Sequence, residues 1–224
     1  MRSGGTFETT AAEIAKRSQK TSECLVAFSA GKDSLVVLDM ACRAFKSVVA
    51  FYLYLVPGLR VIEDRLEAAA ERWKVEILQY PHWIMVHDIK ANIYCPKVPA
   101  FDSVTVPKPA DVYAMIREET GIRLIITGDK KADFVARRAV IKREKDDPEL
   151  FRPIADWRNE EVLAYLGHHG IPIPDANRDC SGIDLRTDSL LWLHDNYPDD
   201  FKELCRTFPF ALAVVKRREL YGVV

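Results

Sequence analysis

Six consecutive residues, Ser29-Ala30-Gly31-Lys32-Asp33-Ser34, combine a small backbone with two hydroxyls, an ammonium and a carboxylate. They follow a short apolar run, Leu25 to Phe28, and precede apolar residues at helical spacing, Leu35, Leu38, Met40 and Cys42, so the stretch reads as strand, tight loop and helix start. A helix opening straight from such a loop presents unpaired backbone N–H groups and the positive end of its dipole. Phosphate suits that place. Gly31 would allow close approach or a positive φ, Ser29 and Ser34 would donate hydroxyl hydrogen bonds, and Lys32 would add a point charge. The other reading is a βα turn with nothing bound. Asp33 also has two readings, help in organising a metal or simple complementation of the helix dipole. This is not a Walker loop, which needs Gly at position 26 and Ser or Thr at 33; Val26 and Asp33 stand there.

A second strand end, Ile122 to Thr127, runs into Gly128-Asp129-Lys130-Lys131-Ala132-Asp133 and a basic stretch with Arg137, Arg138, Lys142, Arg143 and Lys145. On a helix Arg138 and Lys142 share a face, with Arg137 beside it and four residues after Asp133. Lys142 to Lys145 read as a solvated, ion-paired helix. For Lys130, Lys131, Arg137 and Arg138 anion binding is favoured over that plain reading, because they follow a strand's carboxyl end in the same sheet as the first loop.

The elements that must position these groups alternate. Helical character covers residues 9–20, 33–45, 59–73 and 110–120, and valine- and aromatic-rich strands cover 47–55 and 75–80. Such alternation calls for right-handed βαβ units and an open, doubly wound sheet with ligands at the strands' carboxyl ends. From Pro81 to Pro109 the pattern lapses into an irregular excursion, either a lid or a plain surface crossover. Asp156 reads as the N-cap of a helix ending near Leu166, with Glu160 and Glu161 in its early turns. The tail carries helices over 189–196 and 199–208, then a last one ending in Lys216-Arg217-Arg218.

The chain has 224 residues, 48% of them hydrophobic, enough for a proper core. Thirty-two basic against thirty-three acidic side chains leave a net charge of −1, which argues against wholesale nucleic-acid or membrane binding. No apolar run approaches the roughly 18 residues of a spanning helix, and residues 1–22 show no signal-peptide core, so a soluble, cytoplasmic protein is expected. The five cysteines, Cys24, Cys42, Cys95, Cys180 and Cys205, are widely spaced without a Cys-x-x-Cys pair. Reduced thiols are expected, with no iron-sulfur cluster or structural zinc.

The segment 29–34 resembles the pyrophosphate loop, usually Ser-Gly-Gly-x-Asp-Ser, of the adenine nucleotide α-hydrolase (PP-loop) superfamily, with Ala30 replacing one glycine. Pro153-Ile154-Ala155-Asp156-Trp157, followed by a helix ending in His169-Gly170-Ile171-Pro172, is similar to the Pro-Leu-x-Asp-Trp segment of its branch of 3'-phosphoadenylylsulfate (PAPS) reductases and the ATP sulfurylase small subunit. Gly128-Asp129-Lys130-Lys131 is similar to the branch's Gly-Arg-Arg stretch, with Arg137 or Arg138 for its later basic residue. The resemblance implies a mostly parallel five-stranded Rossmann-like α/β sheet over residues 23–175, flanked by a helical arm (1–22) and a helical extension (176–224).

What the resemblance implies chemically is an adenine nucleotide, ATP or PAPS, gripped by Ser29, Ala30, Gly31, Lys32, Asp33 and Ser34, with Gly128, Lys130, Lys131 and Arg138 adding contacts. On ATP, with Mg²⁺ near Asp33, a small oxyanion acceptor near Lys130, Lys131 and Arg137 would attack the α-phosphate and pyrophosphate would leave. The alternative is a thiol-dependent PAPS reductase, with Cys180 as nucleophile and a thioredoxin-like donor to reset it. The Glu-Cys-Gly-x-His segment of sulfonucleotide reductases is missing. A third reading is a nucleotide-binding subunit that needs a partner chain; self-association is left open.

Overall fold

The computed structural model describes residues 3–144, 147–173 and 184–222. Five strands, β1 (Glu23–Ala27), β2 (Ser47–Tyr54), β3 (Glu76–Pro81), β4 (Ile125–Thr127) and β5 (Leu150–Phe151), form one parallel sheet in the order β3-β2-β1-β4-β5. Leu25 lies opposite both Val49 and Ile125. Strand order reverses between β1 and β4, the place where doubly wound sheets hold ligands beyond their carboxyl ends. Both central strands are apolar because both faces are covered; Leu25, Val26, Ile125 and Ile126 are fully buried.

The chain divides into two compact units. The first comprises Met1–Tyr52, Ala68–Gln79 and Met115–Ile173. Within it α1 (Ser3–Ser18), α2 (Lys32–Ala44) and α7 (Asn159–His168) pack on one another. Ser34 through Ala41 of α2 are all buried, including the carboxylate of Asp39. That charge is matched by three elements: Arg43 Nε donates at 2.7 Å, Trp73 Nε1 at 3.0 Å and Tyr165 Oη at 2.7 Å. Burial alone would raise the Asp39 pKa, but these donors outweigh it and hold the carboxyl below its ordinary range. On the α1 side, Phe7 stacks 5.1 Å from Trp157, whose indole N–H donates to Thr10 Oγ1 at 3.0 Å. Helix α6 (Val135–Arg143) carries the chain from β4 to β5.

The second unit comprises Leu53–Glu67, Tyr80–Ala114 and Pro174–Val224. Helices α8 (Thr187–Asn196), α9 (Pro198–Thr207) and α10 (Leu212–Tyr221) share a core of Leu190, Leu193, Phe201, Leu204, Phe208 and Val215. Asp200 accepts the backbone N–H groups of Arg60 at 3.0 Å and Val61 at 2.8 Å, a carboxylate at the head of α3 (Arg60–Trp73) where the helix dipole favours it.

Three details depart from the sequence reading. The excursion after Pro81 contains a helix, α4 (Trp83–Lys90), capped by His82 Nδ1 accepting from Ile84 N–H at 3.0 Å. Its apolar residues Trp83 to Val86 run consecutively, so no helical period announced it. Asp156 is not an N-cap: α7 is capped at Arg158, whose N–H donates to Glu161 at 2.8 Å, while Asp156 pairs with Lys131. Leu150 and Phe151 form the short fifth strand that had no segment of its own. The expected helices of the tail are present, the first two with bounds shifted by one or two residues and the last running on to Tyr221, three beyond Arg218. No helix among the described residues is long and apolar enough to cross a membrane.

Candidate functional site

The first loop leaves the carboxyl end of β1 and enters α2 within four residues. Phe28 N–H still donates to Phe51 O at 2.9 Å, after which Ser29 lies exposed and Ala30 turns back under it, buried, at φ 55°. The left-handed conformation falls on Ala30, not on Gly31, which is extended at φ −96°. For an L-residue that costs roughly 1–2 kcal/mol, a strain of the kind found where backbone geometry serves a ligand. Gly31 caps α2 without any side-chain hydrogen bond, so no capping side chain competes for the backbone N–H groups of the first turn.

Ser34 closes the loop from within. Its hydroxyl donates to Gly31 O at 2.9 Å and accepts from Ser29 N–H and Ser29 Oγ, both at 3.2 Å. The hydroxyl proton expected to reach a phosphate is thus spent on shaping the turn. Lys32 Nζ lies along the loop, 3.0 Å from Asp33 Oδ2.

The second loop, after β4, is drawn against the first. A Cβ on Gly128 would meet Asp33 C at 3.0 Å, Asp33 O at 3.1 Å and Ser34 N at 3.1 Å, so only glycine brings these two backbones together. Lys130 is completely buried. Its ammonium donates to Asp33 Oδ1 and to Asn159 Oδ1 at 3.0 Å, with Asp133 Oδ1 at 3.4 Å. Three acceptors meet three donors, so Lys130, expected to face an acceptor anion, here joins the two loops to α7.

The remaining basic residues divide. Arg137 pairs with Asp129 and stacks 5.0 Å over Phe134. Asp129 also accepts from Thr127 Oγ1 at 2.9 Å and faces Arg152 Nε at 3.4 Å, and Arg152 reaches Glu144 at 2.6 Å. Lys131 Nζ pairs with the exposed Asp156 at 2.7 Å, and Arg138 Nε is 3.4 Å from Lys131 O. Asn159, Asp133 and Arg152 were missed by the sequence reading, since their roles depend on residues 20 or more positions away or on burial that spacing does not encode.

A resident metal at Asp33 does not fit this arrangement. Each carboxylate oxygen is already held by an ammonium, Oδ1 by Lys130 and Oδ2 by Lys32. Among the described residues no three His, Cys, Asp or Glu side chains converge as a metal group. Burial raises the thiols of Cys24, Cys95 and Cys205, and pushes that of Cys42 up to about 12. All four are therefore protonated at neutral pH and poor nucleophiles. Cys180 lies outside the described residues.

Comparison with known proteins adds a family. The phosphoadenosine phosphosulfate reductase domain matches residues 23–175. A protein of Arabidopsis thaliana named as an F-box protein is 24% identical over 154 residues, 63% of this chain and 38% of that protein, so the chain spans well under half of that relative's length. Among solved structures, an NH3-dependent NAD synthetase from Campylobacter jejuni, in complex with nitrate, superposes with a TM-score of 0.57 at 12% identity, covering 100% of this chain and 98% of that one. That likeness speaks for the fold alone. A PAPS reductase from Candida auris, in a phosphate complex, gives 0.49 at 16% identity, covering 75% and 83%.

Proposed function

The chain belongs to the phosphoadenosine phosphosulfate reductase domain family of PP-loop proteins, and on that premise we propose that it binds ATP in loop 29–34 and acts at the α-phosphate. One observation carries this reading: the head of α2, at the carboxyl rim of the switch-point strand, is capped by a residue with no side chain to cover it. Backbone donors there suit the β- and γ-phosphates, and Lys32 would exchange Asp33 for phosphate oxygen as the nucleotide arrives. An acceptor oxygen then attacks the α-phosphorus, the bond to the bridging oxygen breaks, and pyrophosphate leaves. Positioning and charge stabilisation supply most of the rate. Magnesium enters as the nucleotide's own counter-ion, part of the substrate. Asp33, held by Lys130, fixes where the Lys32 ammonium rests before binding.

The family's description supports a second reading, reduction of an adenylylated sulfate by a thiolate. The four described cysteines are unsuited to it, which leaves Cys180.

Phosphorus NMR of the protein with ATP and Mg²⁺, alone and with candidate anions, separates the outcomes: AMP with pyrophosphate is expected, and ADP with phosphate would count against the α-phosphate reading. Titration calorimetry should show ATP binding at least tenfold weaker in Lys32→Ala, a loss of about 1.4 kcal/mol; unchanged heats would remove the loop from the mechanism. Sulfite release from PAPS with thioredoxin, abolished in Cys180→Ser, would put the reductase first.

A further inference from the structure

At the β5 edge of the sheet, a cavity of about 490 Å³ is bounded by α1, the loop after β4, α6 and the segment running from β5 toward α7. None of its lining residues comes from loop 29–34. Five cations face it, Arg17, Lys131, Arg138, Lys142 and Arg152, against one carboxylate, Glu144. Between them lies an apolar floor of Ile141, Leu150, Phe151 and Ala155.

Local pairing does not consume this charge. Arg152 is neutralised by Glu144 and Asp129, and Lys131 shares the exposed Asp156. Arg17 donates to a carbonyl, Pro148 O at 3.1 Å, and lies 5.0 Å over the Phe151 ring. Among the described residues neither Arg138 nor Lys142 has a carboxylate partner. Dipole complementation at the end of α6 accounts for Lys142 alone; it does not bring Arg17, Lys131 and Arg138 to the same space from other elements. Like charges held together repel unless an anion joins them.

The volume decides what kind of anion. It falls in the range of small-molecule sites, several times what a bare oxyanion fills, and such sites pair apolar walls with a few placed charges. We propose that this cavity is a second ligand site, separate from the phosphate loop, for an organic phosphate with a flat apolar body. The phosphate meets Arg138 and Lys142 at the rim, and the apolar body lies on Ile141, Leu150 and Phe151. Lys142, read from the sequence as merely solvated, becomes a ligand contact. The proposal does not depend on the ATP reading.

1-Naphthyl phosphate is the probe, titrated calorimetrically into the full chain beside inorganic phosphate and 1-naphthol. Saturable binding is expected, at least tenfold weaker in Arg138→Ala/Lys142→Ala and unchanged in Lys32→Ala. Both replaced rim residues are exposed, so the double variant should melt with the wild type. The site is refuted if the wild type gives no saturable heat or the double variant binds equally well. Loss of binding in Lys32→Ala would place the probe in the phosphate loop instead. Inorganic phosphate or naphthol binding as tightly as the conjugate would overturn the two-part ligand.

Discussion

Helix α2 is anchored at two places by buried charges of opposite sign, and they differ in what they hold. At its head the Lys130 ammonium gathers Asp33, Asp133 and Asn159, tying the loops after β1 and β4 to α7. Farther along, the Asp39 carboxylate gathers Arg43, Trp73 and Tyr165, locking helix to helix. Each is satisfied by several partners, as a buried charge must be. The first lies at the sheet's carboxyl rim and sets the shape of a site; the second sits within the helical layer and sets only its packing. Stability tests should see both, and ligand tests the first alone.

Replacing Lys130 by Met should have the largest effect, because it sets an apolar side chain against Asp133 and against an Asp33 left with Lys32 alone: about 3–5 kcal/mol lost in denaturant unfolding, together with weaker ATP binding. A loss under about 1 kcal/mol would mean that the ammonium is not the pivot.

Asp39→Asn should cost less, about 1–3 kcal/mol, with ATP affinity retained by the folded fraction. It also has a pH signature. The folded-state pKa of Asp39 lies below its ordinary 3.8, so the stabilisation is fully present above that value and disappears as pH falls through the folded pKa. The stability gap between wild type and variant should therefore hold steady above about pH 5 and close in acid; a gap that widened on acidification would reverse the assignment.

Lys131→Ala sharpens the contrast from the small end. Its ammonium is 40% exposed and its partner Asp156 is 80% exposed, so unfolding should change by no more than about 0.5 kcal/mol, although Lys131 adjoins Lys130 in sequence. An effect rivalling that of Lys130→Met would erase the distinction between buried strut and solvated pair.

That neighbouring lysines take such different parts shows where sequence reading stopped. The α/β sheet and the loop 29–34 were legible because an apolar run, a cluster of small polar residues and a helical period succeed one another locally. The basic cluster after β4 was recognisable as chemistry, but a charge pattern does not say which lysine turns inward. Asn159 makes Lys130 a strut from 29 positions away. Within the loop a positive φ was one of two uses expected of Gly31 on intrinsic preference, whereas with Ser34 bonded to Gly31 O and Ser29 the left-handed residue is Ala30. Asp156 had the right type for a cap, yet the Arg158–Glu161 pair starts the helix two residues later than an Asp156 cap would. The β5-edge cavity was invisible because Arg17 and Phe151 meet only through the fold.

The bare α-carbon at Gly128 sets a tolerance for the whole rim. With virtual Cβ contacts of 3.0–3.1 Å to the main chain of Asp33 and Ser34, a single added methyl would act as a shim, lifting the head of α2 away from its neighbour by tenths of an ångström. Flexible side chains could adjust to such a wedge, but the main-chain amides at the head of α2 would all tilt with it. Charges around the rim can be exchanged one at a time; the width of this seam can only change all at once.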